Sequence, residues 1–222
     1  MGLRDEKKRR QRQAILDAAA DLFRDRGYDS TRVQDIIQRA EISEATFFNY
    51  FPSKDSLLHE LADVSVELYT SAVDYQLERS DQPVPLRVRE LMRALALVAE
   101  QDPQLQALLY ARSDLFRARG ALKEHELRLY DRLTELFRLG QQRGEIRTDT
   151  EPLQLAEILT GIEHLVVTNW LTSWWGKRDD LPARLDRAIE IFLDGCRPVT
   201  PQRSRRSRRR AAAPRSRERP PR

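Results

Sequence analysis

Between Ser43 and Lys54 the chain reads SEATFFNYFPSK, with small and polar side chains at the spacing of one helix face. If Phe47 and Phe51, four residues apart on one face, turn inward, then Glu44, Ala45, Thr46, Asn49 and Tyr50 are left to face outward, with Ser43 at the cap. Amide, hydroxyl and carboxylate groups on an exposed helix can read the donor and acceptor patterns of base-pair edges. Asn49 can pair twice with adenine, Glu44 can accept from the cytosine amino group, and the Thr46 methyl can meet that of thymine. Ser43 and Ala45 are small enough to let the helix approach closely. Glu44 repels phosphates, so at the groove it would act by excluding wrong sequences. The chemistry expected of this segment is recognition of double-stranded DNA in the major groove.

A reader of this kind needs neighbours to hold it. Upstream, Thr31 can cap a helix whose inward face is Val33, Ile36, Ile37 and Ala40. Glu41 and Ile42 break that pattern, and Ser43 can cap the next helix. Two short helices joined by so tight a turn form a helix-turn-helix. Gln34 can reach a base at the groove edge or close a capping box with Thr31; the sequence leaves both open. Thr31 and Arg32 are placed to clamp one side of the groove. Lys54, at the start of the following helix, is either a phosphate clamp beside free backbone N–H groups or a solvated surface lysine. Phe47 and Phe51 are read as anchors on the neighbouring helices, not as a base-stacking platform.

Hydrophobic periodicity predicts an all-α chain of about nine helices. The first runs from about Lys7 to Arg26, ended by Gly27. A long fourth helix runs toward Gln76, with Leu57, Leu58, Leu61, Val64, Leu68 and Ala72 inward. A loop, SDQPVP, precedes a helix over Leu86 to Gln101. Pro103 opens a short helix, a long one spans Leu115 to Arg143, and two more cover Leu153 to Trp175 and Leu181 to Gly195. The expected domains are residues 1–53 for DNA binding, 54–197 for a helical effector-binding and dimerisation unit, and 198–222 for a disordered tail. That tail holds ten Arg against Glu218 alone, a net of +9, so the rest of the chain carries −5 of the total +4. Basicity therefore belongs to the tail, where it can add sequence-independent attraction to DNA. Near the motif the local cations are Arg4, Lys7, Lys8, Arg9, Arg10 and Arg12.

The segment AAADLFRDRGYDSTRVQDIIQRAEISEATFFNYFPSKDSLL, Ala18 to Leu58, resembles the TetR family of ligand-responsive bacterial transcriptional regulators. The marks of the resemblance are Leu22-Phe23, Gly27-Tyr28, Thr31, Asp35-Ile36, Ala40, Ser43, Thr46, the Phe47–Phe51 cluster and Ser53-Lys54 leading to Leu57. The resemblance implies an N-terminal three-helix helix-turn-helix domain, a C-terminal helical domain holding a small-molecule pocket, and a last helix pair that joins two subunits. It also implies a homodimeric repressor in the cytoplasm, associated with the nucleoid when bound to a palindromic operator. The alternatives are an effector-independent or architectural DNA binder, and a helical enzyme or scaffold that keeps the motif as structure. Two departures stand out. Glu41 occupies the turn where the family usually has Gly, a strain of about 1 kcal/mol if the backbone is left-handed. Phe48 replaces a usual Tyr and removes a hydroxyl contact to phosphate.

One reading head spans few base pairs, whereas a two-fold dimer sets two of them about 34–36 Å apart, or wider by groove spacing. Candidate dimer residues are Ala156, Leu159, Ile162, Val166 and Trp170 on one helix, with Leu185, Ala188, Ile189 and Phe192 on the next; the same stripes can instead complete the subunit core. Candidate pocket residues, chosen as inward-looking, are Leu61, Leu68, Met92, Leu95, Tyr110, Leu133 and Phe137. Trp170, Trp174 and Trp175 with His164 fit packing better than an aromatic-ligand site. Catalysis has no support: there is no P-loop, GxSxG, HExxH or strand-borne GxGxxG. His59, His125 and His164 share no ligand spacing, and with Cys196 as the sole cysteine no metal, cofactor or disulfide framework is expected. No apolar run approaches the roughly 18 residues of a membrane span, and the charged N-terminus lacks a secretory apolar region.

Overall fold

In the computed structural model, residues 2–118, 123–173 and 180–198 are described, and among them there are nine α-helices and no strand. In chain order these are α1 (Leu3–Arg26), α2 (Val33–Arg39), α3 (Glu44–Tyr50), α4 (Lys54–Glu78), α5 (Val84–Gln101), α6 (Pro103–Ala118), α7 (Lys123–Gln142), α8 (Pro152–Leu171) and α9 (Leu181–Gly195). Local chemistry sets most of the ends. Gly27 takes φ 80 at the close of α1. Ser53 caps α4 by accepting from Ser56 N, and Asp102 caps α6 by accepting from Leu105 N at 3.1 Å. Asp180 does the same for α9 through Ala183 N at 2.9 Å, with Pro182 in its first turn, where a missing N–H does no harm.

Leu115 lies in α6, not at the start of α7 as its apolar pattern suggests. α8 closes at Leu171, and Ser173 beyond it is left-handed at φ 52. Trp174 and Trp175, expected at the end of α8, lie outside the described residues, as does the arginine-rich tail beyond Pro198.

Among the described residues there are two apolar cores. The first joins α1, α2, α3 and the first turns of α4: Ile15, Ala19, Ile36, Phe47 and Leu57 have no exposed surface. It reaches past residue 53, taking in Leu58 and Ala62 of α4 and Leu109 of α6. The second joins α4, α5, α7, α8 and α9 around Val88, Leu91, Met92, Leu133, Phe137, Leu159 and Ile189. α4 serves both cores and its buried face rotates between them. After Ala62 that face passes through Val66, Tyr69, Val73 and Gln76, leaving Val64 (44% exposed) and Leu68 (60% exposed) outside, contrary to the expected inward stripe.

Close approach decides one residue type in the second core. An added Cβ at Gly140 would lie 2.6 Å from Ile146 Cγ1 and 3.1 Å from Val84 Cγ1, so α7 can pass these residues only with Gly there. Arg87 is fully buried and donates from Nε to Gln82 O at 2.8 Å and from Nη1 to Gln76 O at 3.2 Å. The guanidinium satisfies the Gln76 carbonyl near the end of α4, which the helix itself cannot, together with the Gln82 carbonyl of the following loop, and its sign complements the helix dipole.

Candidate nucleic-acid interface

The turn between α2 and α3 is a complete Schellman motif built without glycine. Glu41 is left-handed at φ 53; its N–H donates to Gln38 O at 3.3 Å, and Ile42 N–H donates to Ile37 O at 3.2 Å. Ile37 and Ile42 both pack on the first core, the hydrophobic contact that accompanies such a turn. The strain anticipated at this position is therefore present, and the turn forms regardless.

α3 begins where Ser43 Oγ accepts from Thr46 N at 3.1 Å. Ser43 Oγ and Thr46 Oγ1 are also 2.8 Å apart in a mutual hydrogen bond. Phe47 and Phe51 are buried and anchor the helix. Glu44, Ala45, Phe48 and Asn49 are exposed, and Thr46 is half-buried. Phe48, 47% exposed, sets its ring edge-on against Phe47 at 5.2 Å and presents an apolar surface beside Asn49. Tyr50 is half-buried, and its hydroxyl donates to Gln11 Oε1 of α1 at 3.2 Å, so this side chain braces α3.

Three flanking side chains differ from expectation. Thr31 does not cap α2. It is 1% exposed and its hydroxyl donates inward to Leu22 O at 3.2 Å and Gly27 O at 2.8 Å, tying the end of α1 to the next loop. The cap position belongs to Arg32, whose backbone N–H donates to Asp35 Oδ2 at 2.9 Å. With Asp35 in that role, Gln34 is left exposed on the outer side of α2. Lys54 also turns inward: its ammonium donates to Tyr28 O at 2.7 Å and Thr31 O at 2.8 Å and lies 4.2 Å from the centre of the Tyr28 ring. Two carbonyls and an aromatic face supply what a phosphate was expected to supply, so Lys54 closes the α1–α2 loop. The exposed set on this surface is Arg32, Gln34, Ser43, Glu44, Ala45, Phe48 and Asn49. The cations Arg4, Lys7, Lys8, Arg9 and Arg10 are exposed along the outer turns of α1, and Arg12 pairs with Glu60.

α6 meets this head through contacts that sequence reasoning missed. Asp102 accepts from Arg24 at 2.6 Å, Arg112 lies 3.4 Å from Asp29, and the Arg112 guanidinium sits 4.4 Å from the Tyr28 ring centre. Tyr28 in turn hydrogen-bonds Asp55 of α4; burial foremost, then that bond, pushes its hydroxyl pKa well up. These partners are separated by 78 and 83 positions in Arg24–Asp102 and Arg112–Asp29, and no local pattern announces them.

The other expected sets divide. Of the pocket candidates, Met92, Leu133 and Phe137 are fully buried in the second core, with Leu95 and Tyr110 packed against it. Leu61 packs on the first core, and Leu68 faces outward. Of the dimer candidates, Ala156, Leu159, Trp170, Leu185, Ile189 and Phe192 are buried in the subunit's own second core, and Ile162 and Val166 lie against it. These stripes complete the core because α8 and α9 pack on α5 and α7 through them. The apolar residues those helices leave exposed are Leu153 (48%), Ile158 (43%), Leu165 (61%) and Ile191 (75%).

An all-α chain with a tight helix-turn-helix, an exposed polar face on its second helix and a larger helical body defines a class of DNA-binding regulators. A family profile described as bacterial regulatory proteins, tetR family, matches residues 15–61. Over 207 residues the chain is 28% identical to the HTH-type transcriptional repressor KstR of Rhodococcus jostii (strain RHA1), covering 86% of each. It is 25% identical over 201 residues to the HTH-type transcriptional repressor DhaR of Mycobacterium sp. (strain GP1), covering 85% of this chain and 93% of that one. Among solved structures it is similar to Thermus thermophilus FadR, a TetR-family repressor in complex with lauroyl-CoA. The TM-score is 0.65 and the identity 26%, over 83% of this chain and 94% of that one. Residues 15–61 thus carry the TetR-family domain, and the chain is a DNA-binding transcriptional regulator, not an enzyme. Among the described residues no helix is long and apolar enough to cross a membrane.

Proposed function

We propose that the protein is a homodimeric repressor that binds a palindromic operator and leaves it when a small molecule fills the helical body. The carrying observation is the exposed face of α3: Ser43, Glu44, Ala45 and Asn49 stand free on a helix whose opposite side is fixed by Phe47 and Phe51. Arg32 and Gln34 on α2 would flank the groove, and Thr46 would reach it beside Ser43. Tyr50 and the inward-turned Thr31 and Lys54 would position this surface without touching DNA through their polar atoms. The head in this reading is residues 1–53 together with the first turns of α4, and the body is the remainder of 54–197.

The exposed residues of α8 and α9 suit a two-fold contact. Ile158, Gly161 and Leu165 follow helical spacing on α8, and Ile191 stands exposed on α9 one turn beyond the half-buried Ala188, next to the buried stripes. Pairing through this face would place two α3 helices on one side of a duplex. Head and body are coupled by α4, which serves both cores, and by α6 through Asp102 and Arg112. A ligand that favours one spacing of the heads by a few kcal/mol would shift the operator equilibrium. Footprinting on the promoter beside the protein's own coding sequence tests the reading. Two protected half-sites in dyad relation, lost on addition of one metabolite from a panel, are expected. Uniform protection without sequence preference, indifferent to every metabolite, would replace it with an architectural binder.

A further inference from the structure

The second core contains a carboxylate that DNA binding does not use. Glu163 of α8 is 7% exposed, in an interior built mainly of apolar side chains. Its Oε1 accepts from the Tyr110 hydroxyl of α6 at 2.5 Å. The His164 ring stacks on Tyr110, centroids 5.1 Å apart and planes 20° from parallel. On the α4 side, the Tyr69 hydroxyl is buried without a hydrogen-bond partner, close enough to Glu163 and Tyr130 for both to act on it electrostatically. Tyr130 of α7 shares a hydrogen bond of 3.0 Å with Thr160, one turn before Glu163. Four helices thus bring one acid and three tyrosines together. Among the described residues no Lys or Arg pairs with that acid.

An uncompensated buried carboxylate opposes folding, and an unpartnered buried hydroxyl adds to the penalty. Such groups persist where something else satisfies them. Aromatic faces around a carboxylate attract a positive charge, whereas they offer nothing to an anion. We propose that Glu163, Tyr69 and Tyr110 form the recognition site for the head group of an amphipathic organic amine, bound as the ammonium. The ammonium donates to Glu163 and to the Tyr69 oxygen, and its apolar part lies along the second core. This assignment rests on the effector reading above and gives the effector its chemical class: a cation, in contrast to the anionic acyl-CoA in the related Thermus thermophilus structure. It also supplies a route outward. Tyr110 lies two residues before Arg112, so an ammonium competing for Glu163 moves the segment of α6 that holds Tyr28 and Asp29.

The test uses three probes of equal chain length, decylamine, decanol and decanoate, each below its aggregation threshold. Calorimetric titration into the full chain at pH 8 measures their binding. A charge-assisted bond in a desolvated site predicts decylamine at least roughly tenfold tighter than decanol, with decanoate weakest. Glu163→Gln should bring decylamine to the level of decanol and leave decanol unchanged within about twofold. Tyr69→Phe removes a hydroxyl with no protein partner to lose, and should weaken decylamine several-fold; it decides the matter if Glu163→Gln does not fold. Equal binding of all three probes, binding of none, tighter binding of decanoate, or amine binding unaffected by either substitution overturns the proposal. Release of operator DNA is measured separately. Glu163-dependent amine binding that leaves the operator complex intact would refute effector release while this site stands.

Discussion

Replacing Glu163 by Gln should make the protein more stable, and increasingly so as pH rises. Burial drives the Glu163 carboxyl from its ordinary 4.5 up to about 7, against the opposing hydrogen bond from Tyr110. A raised acid pKa means that the folded state holds the proton more tightly than the unfolded chain. Below pH 4.5 both states are protonated and Glu163 imposes no penalty. Between 4.5 and 7 the unfolded chain releases its proton first and stability declines; above about 7 the penalty is complete. A shift of this size corresponds to about 3 kcal/mol at pH 8 and about 1 kcal/mol at pH 5. Gln keeps an oxygen that accepts from Tyr110 and carries no charge, so the variant escapes the penalty. Urea unfolding of wild type and variant at both pH values, at one protomer concentration, reads the difference directly. His164, Tyr69, Tyr110 and Tyr130 around the site are common to both proteins, so the comparison isolates Glu163. Parallel stability curves across this range would refute the assignment of a desolvated, uncompensated carboxylate.

Other substitutions probe the head and the body. Glu41→Gly relieves the left-handed strain of the α2–α3 turn and should raise stability by about 1 kcal/mol in denaturant unfolding. Gly140→Ala forces a methyl against Ile146 and Val84 and should lower stability by about 1–3 kcal/mol in the same assay. Lys54→Ala removes two hydrogen bonds to the α1–α2 loop and should lower thermal stability in the absence of DNA; an unchanged Tm would return Lys54 to the role of a free phosphate contact.

The bounds of α3 and most of its exposed face were legible because their determinants are local. A serine cap at Ser43, aromatic anchors four residues apart at Phe47 and Phe51, and polar residues between them mark the helix and its outward face. The turn at Glu41 was legible in the same way, since its conformation follows from where α2 stops and α3 starts. Side chains with a choice of partner were not. Thr31 and Lys54 stand where a cap and a clamp belong, but carbonyls at Leu22, Gly27 and Tyr28 become available only once α1 folds back. Leu68 was misplaced because α4 packs on two cores in succession, and a single stripe drawn along 25 residues ignores the change of face. On α8 and α9 the largest apolar residues drew attention to the surface that the subunit consumes itself, while Ile158, Leu165 and Ile191 stay outside. Glu163 met Tyr110 across 53 positions, a proximity that periodicity does not contain.

The central claim is that the exposed face of α3 reads bases, and quantitative binding of Thr46→Ala and Asn49→Ala variants to the footprinted operator tests it most directly. Each variant should keep the fold and lose about 1–3 kcal/mol of operator affinity per base contact removed, with relaxed preference at the matching position of both half-sites. Operator affinity and sequence preference equal to wild type in both folded variants would contradict base recognition by that helix.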